Sequence, residues 1–133
     1  MKYALDTNII TYYLKGCENV MDKIDEAIEN NHDVIIPPFS YFEINKWLLT
    51  INSKNKQEAF AKLIEGYGIE ILDKKVFDIA LSLYIKLRKS GITVDDGDLL
   101  IAAFCIHNNY ILVTNNSKHY KDIEKLQVVN WFA

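Results

Sequence analysis

Three short, unbroken apolar runs constrain this chain more than any other feature: Tyr3-Ala4-Leu5, Val34-Ile35-Ile36 and Tyr110-Ile111-Leu112-Val113. None alternates apolar with polar residues, so both faces of each strand need covering, as in a parallel sheet packed between helices. The intervening segments supply those helices. Ile9 to Lys15 reads as a short helix broken by Gly16. Asn19 is expected to cap a second, with Val20, Ile24, Ala27 and Ile28 at helical spacing. Asn30 to Asp33 is a turn, and Pro37-Pro38 ends the second strand. Pro38 or Ser40 then opens a helix with Phe42, Ile44, Trp47, Leu48 and Ile51 on a broad apolar side.

Ala59, Phe60, Leu63 and Ile64 line a fourth helix, ending near Gly66, and Ile69-Glu70-Ile71 reads as a strand. Asp73 is placed to cap the longest helix, with Val76, Phe77, Ala80, Leu83, Tyr84 and Leu87 predicted on one face. Lys86, Arg88 and Lys89 fall near its C-terminus, where positive charge suits the helix dipole. Leu99 to Ile106 is an almost wholly apolar helix, and a short helix is expected from His119 to Ile123. Val128-Val129 makes a last edge strand. The alternation predicts an α/β fold in three layers, α/β/α, around a mainly parallel sheet of four to five strands. At 133 residues the chain suits one domain, 1–133, which excludes a two-domain cofactor-plus-substrate design.

Fifteen Lys and Arg against eighteen Asp and Glu give a formal charge of −3, so no whole-molecule basic field draws in nucleic acid or anionic lipid. A local patch remains open: Lys15, Lys46, Lys54, Lys86, Arg88, Lys89, Lys118 and Lys121 are candidates for a basic rim, or for an ordinary solvated face. Cys17 and Cys105 form neither a disulfide framework nor a zinc pattern, which fits a reducing, cytoplasmic setting. The N-terminus lacks the features of a signal peptide, and no run of 18 apolar residues suggests a membrane span.

The acids fall in informative places. Asp6 ends the first strand, followed at once by Thr7 and Asn8. Ligands of open α/β sheets bind beyond the carboxyl ends of the strands. Asp6 is therefore either a helix cap or a ligand-binding acid. Glu43 sits among apolar neighbours in the helix after Pro37-Pro38, as a rim carboxylate or as part of a site. Asp95, Asp96 and Asp98 put three acids in four residues before the apolar helix, more than one cap needs. Thr114, Asn115 and Asn116 follow the third apolar strand, as a polar turn or as water and phosphate contacts. Together these are hard oxygen donors at the strand ends and helix starts of one sheet. They suit Mg²⁺ or Mn²⁺, which relieves carboxylate repulsion, activates water and offsets phosphodiester charge.

These residues also carry a family resemblance. Leu5-Asp6-Thr7-Asn8-Ile9-Ile10 resembles the opening motif of PIN domains, Glu43 matches their second acid, and Asp98-Leu99-Leu100-Ile101-Ala102-Ala103 is similar to their third motif. Leu112-Val113-Thr114-Asn115-Asn116 resembles the segment that usually bears a fourth acid, here Asn116. Tyr120 falls near that segment's usual Phe, and Asn130-Trp131 resembles the closing strand and tail. The likeness runs the length of the chain and is greatest to VapC-type toxins of type II toxin–antitoxin pairs.

It implies a PIN-like fold and a Mg²⁺- or Mn²⁺-dependent endoribonuclease cutting structured RNA such as tRNA or rRNA. It also implies a homodimer, inhibition by a small VapB-like antitoxin, and promoter DNA bound only through that antitoxin. Asp6, Asp98 and Glu43 would be the metal ligands, and with Asn116 the catalytic set. Thr7, Asn8, Asp95, Asp96 and Thr114 would support them. The neutral Asn116 removes one carboxylate from a second-metal position and leaves open a non-catalytic PIN domain that binds RNA or protein. A flap-type DNA nuclease needs more acids and extra DNA-gripping helices. A haloacid-dehalogenase phosphatase needs an acid where Asn8 stands. Tyr12, Tyr41, Trp47 and Phe60 are expected as core groups or as an interface.

Overall fold

A computed structural model of the chain describes residues 1–67, 70 and 72–133. The elements run β1 (Lys2–Leu5), α1 (Thr7–Leu14), α2 (Glu18–Glu29), β2 (Asp33–Ile35), α3 (Pro38–Ile51) and α4 (Lys54–Tyr67). They continue as α5 (Lys74–Lys89), α6 (Asp96–Asn108), β3 (Ile111–Val113), α7 (Ser117–Tyr120) and β4 (Val128–Val129). Among the described residues, four strands form one sheet in the order β2-β1-β3-β4, every pair parallel. Ile69 and Ile71 of the strand expected at Ile69-Glu70-Ile71 lie outside the described residues.

The apolar runs do what unbroken runs must. Successive side chains point to opposite faces of a strand. Ala4, Ile35 and Leu112 accordingly join one core cluster with α5 and α6, while Leu5, Val34, Ile36 and Val113 join a second with α1, α2, α3 and α4. Two cores on two faces make the α/β/α layering. Tyr12, Tyr41 and Trp47 pack on the second core and Phe60 lies inside it, so these aromatics serve the interior. Cys17 and Cys105 are both free. Among the described residues no helix is long and apolar enough to cross a membrane.

Local signals set most boundaries, with informative exceptions. Helix α1 begins at Thr7, two residues earlier than the apolar spacing implies, because Asp6 caps it by accepting from the Thr7 N–H at 2.8 Å. Helix α2 starts at Glu18 with Cys17 as its cap, so Asn19 lies inside the first turn and caps nothing. On α5, Val76, Ala80 and Leu87 are buried, whereas Phe77 and Tyr84 are 45% and 39% exposed. The 4-3-4 spacing of positions 76, 80, 83 and 87 closes a stripe that the core fills. Positions 77 and 84 sit one residue further, about 100° round the helix.

Asp73 caps α5 as expected, accepting from the Val76 N–H at 3.2 Å, and its other oxygen faces His107 Nε2 at 3.2 Å. Desolvation pushes its carboxyl up, but the Val76 N–H, His107 and the Lys75 N–H together outweigh that and hold it below the ordinary 3.8. A depressed carboxylate stabilises the fold above its unfolded pKa, and that contribution disappears as pH falls through the folded value. Asp73→Asn is therefore expected to lower Tm near pH 7, with the gap from the parent narrowing below about pH 4. Thermal melts across that range check it.

Candidate active site

Strand register creates the site. Leu5 pairs with Val113 in the parallel β1–β3 ladder, and the Asp6 N–H continues it by donating to Val113 O at 2.9 Å. The next residues, Asp6 and Thr114, therefore stand side by side where the two strands end. They share the parity of Ala4 and Leu112, which places them on the face covered by α6 and α7. Asp6 is only 5% exposed and Thr114 is fully buried.

The Asp6 carboxylate is held on both oxygens. Its Oδ1 accepts from the Thr7 N–H, and its Oδ2 accepts from Thr114 Oγ1 at 2.8 Å and from the Tyr120 hydroxyl at 3.0 Å. The same Tyr120 hydroxyl lies 3.1 Å from Asp98 Oδ1, and His119 Nδ1 lies 3.2 Å from Asp98 Oδ2. The start of α6 and the end of β1 thus meet through one phenol. Burial raises the Asp6 pKa most; the Thr114, Thr7 and Tyr120 hydrogen bonds oppose it, and the charge of Asp98 adds to it. Burial, then the charges of Asp6 and Asp98, push the Tyr120 phenol far up, so it remains an O–H donor.

Glu43 arrives from the opposite helical layer. Thr7 Oγ1 donates to Glu43 Oε1 at 2.6 Å, joining α3 to the residue beside Asp6. One helical turn before Glu43, the Ser40 hydroxyl is fully buried and, among the described residues, has no hydrogen-bond partner. Gly97, between Asp96 and Asp98, packs so tightly on the Phe39 ring that a Cβ there would fall 2.8 Å from Cζ, so the start of α6 abuts the start of α3.

The asparagines buttress this arrangement. Asn8 Nδ2 donates to Thr114 Oγ1 at 3.2 Å, and the Asn116 N–H donates to the same oxygen at 3.0 Å. The Thr114 hydroxyl thus accepts twice and donates once, to Asp6, which is all it can do. Asn8 Oδ1 accepts from the Asn115 N–H, and Asn115 binds Tyr12 and Asn130 through its side chain.

Asp6, Asp98, Thr7, Asn8, Glu43 and Thr114 therefore fall in one hydrogen-bonded web, and Asn116 joins it through its backbone. Asp95 and Asp96 stand apart from it. Both are exposed: Asp95 is the helix cap whose carbonyl accepts from the Leu99 N–H, and Asp96 lines a groove with Phe77, Leu81 and Tyr84 of α5. Sequence reasoning missed the part of Tyr120, and of His119 beside it. Its one signal was a tyrosine near the place where the resemblance leads one to expect phenylalanine.

The donors are carboxylate and hydroxyl oxygens, the chemistry hard cations want. Among the described residues no three His, Cys, Asp or Glu side chains close around one point. Mg²⁺ keeps several waters and takes one or two carboxylates plus substrate phosphates, so the Asp6–Asp98 pair fits it with Glu43 at the margin.

A parallel sheet in α/β/α layers with acids gathered at its carboxyl edge defines a domain of the PIN class, and a PIN domain family model matches residues 3–126. Ribonuclease VapC2 of Rickettsia felis is 31% identical over 98% of both chains. Among solved structures, VapBC2 from Rickettsia felis bound to a DNA fragment from their promoter matches with TM-score 0.84 and 29% identity, over 98% of this chain and 99% of that one. VapBC-1 from nontypeable Haemophilus influenzae matches with TM-score 0.85 and 26% identity over the whole of both chains. The chain belongs to the PIN domain family, in its VapC-type group.

Proposed function

We propose that the chain is a Mg²⁺- or Mn²⁺-dependent endoribonuclease, the toxin of a type II toxin–antitoxin pair, acting on structured RNA. The observation that carries this reading is the meeting of Asp6 and Asp98 on one buried phenol at the carboxyl edge of the sheet. The ribonuclease name of the Rickettsia felis relative supports it.

In this mechanism Asp6 and Asp98 would hold the cation, directly or through water. A cation bound there would supply water activation and offset negative charge on the phosphodiester. Glu43, fixed by Thr7, completes the site or orients the attacking water. Thr114 holds Asp6 in place, and Asn8 and Asn116 hold Thr114. The partners are RNA, a small VapB-like antitoxin and a second copy of the chain, with promoter DNA reached through the antitoxin; the setting is the cytoplasm and the whole chain acts as one domain.

The absence of a three-acid cluster among the described residues, with Asn116 neutral, favours one alternative: a PIN domain that binds RNA without cutting it. Incubation with a panel of structured RNAs separates the two. Cleavage with Mg²⁺ or Mn²⁺, abolished by EDTA and leaving 3′-hydroxyl and 5′-phosphate ends, is the expected result. Retention of intact RNA under every metal condition overturns the nuclease reading.

A further inference from the structure

We propose that Tyr120 is a positioning residue for the paired carboxylates: its buried hydroxyl holds Asp98 against Asp6, so that both acids are already together when a divalent cation arrives. The inference rests on the metal-site reading above and adds to it a residue of this chain. Tyr120 is 2% exposed, and its hydroxyl lies 3.0 Å from Asp6 Oδ2 and 3.1 Å from Asp98 Oδ1. One hydroxyl carries one proton, so it serves the two carboxylates in turn and favours the geometry in which both stay within reach.

The remaining partners show why this residue matters to Asp98 in particular. Asp6 keeps the Thr7 N–H and the Thr114 hydroxyl without it. Among the described residues Asp98 keeps only His119, a ring 54% exposed, and is free to turn toward water. The hydroxyl does not take every acceptor position. A carboxylate offers about four lone-pair sites. Asp6 Oδ1 accepts one hydrogen bond, and each oxygen of Asp98 has one close partner, so a cation finds sites left on both acids. Groups that orient carboxylate ligands in this way typically change metal affinity by about 10- to 100-fold.

Tyr120→Phe keeps the ring in its packing and removes only the hydroxyl. Calorimetric titration of the purified, metal-stripped full chain with Mn²⁺ alone, without RNA, is the test. The expected result is a Kd raised about 10-fold or more in the variant. In RNA cleavage, the half-saturating Mn²⁺ concentration rises in parallel, while kcat at saturating Mn²⁺ stays within about threefold of the parent, as for a group that orients ligands rather than reacts. A merely structural role would lower Tm without moving the Kd of the folded protein. Equal or tighter Mn²⁺ binding by the variant overturns the proposal and leaves the metal site standing. Failure of the parent chain itself to bind Mn²⁺ overturns the metal-site reading, and this inference with it.

Discussion

Asp98→Asn is expected to lower metal-dependent RNA cleavage by about 100-fold or more. The change preserves size and removes the charge, so it isolates what the carboxylate contributes. Asp98 is half-buried in the first turn of α6, its two oxygens facing Tyr120 and His119. An amide there still accepts from Tyr120 but binds a hard cation weakly. A metal ion contributes several kcal/mol of transition-state charge stabilisation, and each 1.36 kcal/mol is tenfold in rate, so losing about 3 kcal/mol gives the stated factor. The effect on folding runs on a smaller scale. An acid in the first helical turn is worth about 0.3–1 kcal/mol against the dipole, and removing like-charge repulsion toward Asp6 offsets part of that. The variant should therefore melt near the parent temperature while cutting RNA hardly at all. Asp96→Asn is the control: two residues away but turned to the α5 groove, it should leave the rate nearly unchanged. Undiminished cleavage by clean Asp98→Asn protein would remove Asp98 from the site.

The layered fold was legible because its signal is local. Unbroken apolar runs need two covered faces, and Ala4 and Leu5 do go to opposite cores. The Asp73 cap was legible for the same reason, since a side chain three residues before its N–H partner needs no tertiary knowledge. Asp6 teaches something different. Helix cap and site acid looked like alternatives, yet a carboxylate has two oxygens, and Asp6 spends Oδ1 on the cap and Oδ2 on Thr114 and Tyr120. Motif positions could gather Asp6, Glu43 and Asp98, but not assign their contacts. The Tyr120 bridge joins residues 114 and 22 positions away, and only the parity of β1 and the seat of α7 bring them together. Asp95 and Asp96 share a run with Asp98, but 100° of helical turn per residue sends neighbours in different directions. The exposure of Phe77 and Tyr84 escaped for a related reason: periodicity shows that a stripe is apolar, not how wide a stripe the core will cover.

Phe104→Ala is expected to destabilise the chain by about 3–5 kcal/mol, the usual effect of deleting a buried aromatic side chain. Phe104 is 1% exposed in the core between α6 and the sheet, and its ring lies nearly parallel to that of Tyr110, centroids 5.8 Å apart at 5°. Removing it forfeits the transfer free energy of the ring and leaves a void bounded by apolar side chains of α6 and its neighbours, which fixed strands on one side cannot close. Against a typical total of about 5–15 kcal/mol, this is a large fraction of what holds the domain together. Urea unfolding should show a lower midpoint with an unchanged slope, the sign of lost stability rather than an altered denatured state. Phe77→Ala, on an exposed side chain of α5, should by contrast stay within about 0.5 kcal/mol. The site supplies a second readout. Phe104 lies six residues beyond Asp98, about 9 Å along α6, and its hydrocarbon ring has no hydrogen-bonding group to offer the carboxylates. At temperatures where Phe104→Ala remains folded, its Mn²⁺ affinity should match the parent's, whereas Tyr120→Phe should show the reverse pattern of kept stability and weakened binding. Loss of Mn²⁺ affinity in folded Phe104→Ala would mean that packing along α6, and not the hydroxyl of Tyr120, sets where Asp98 stands.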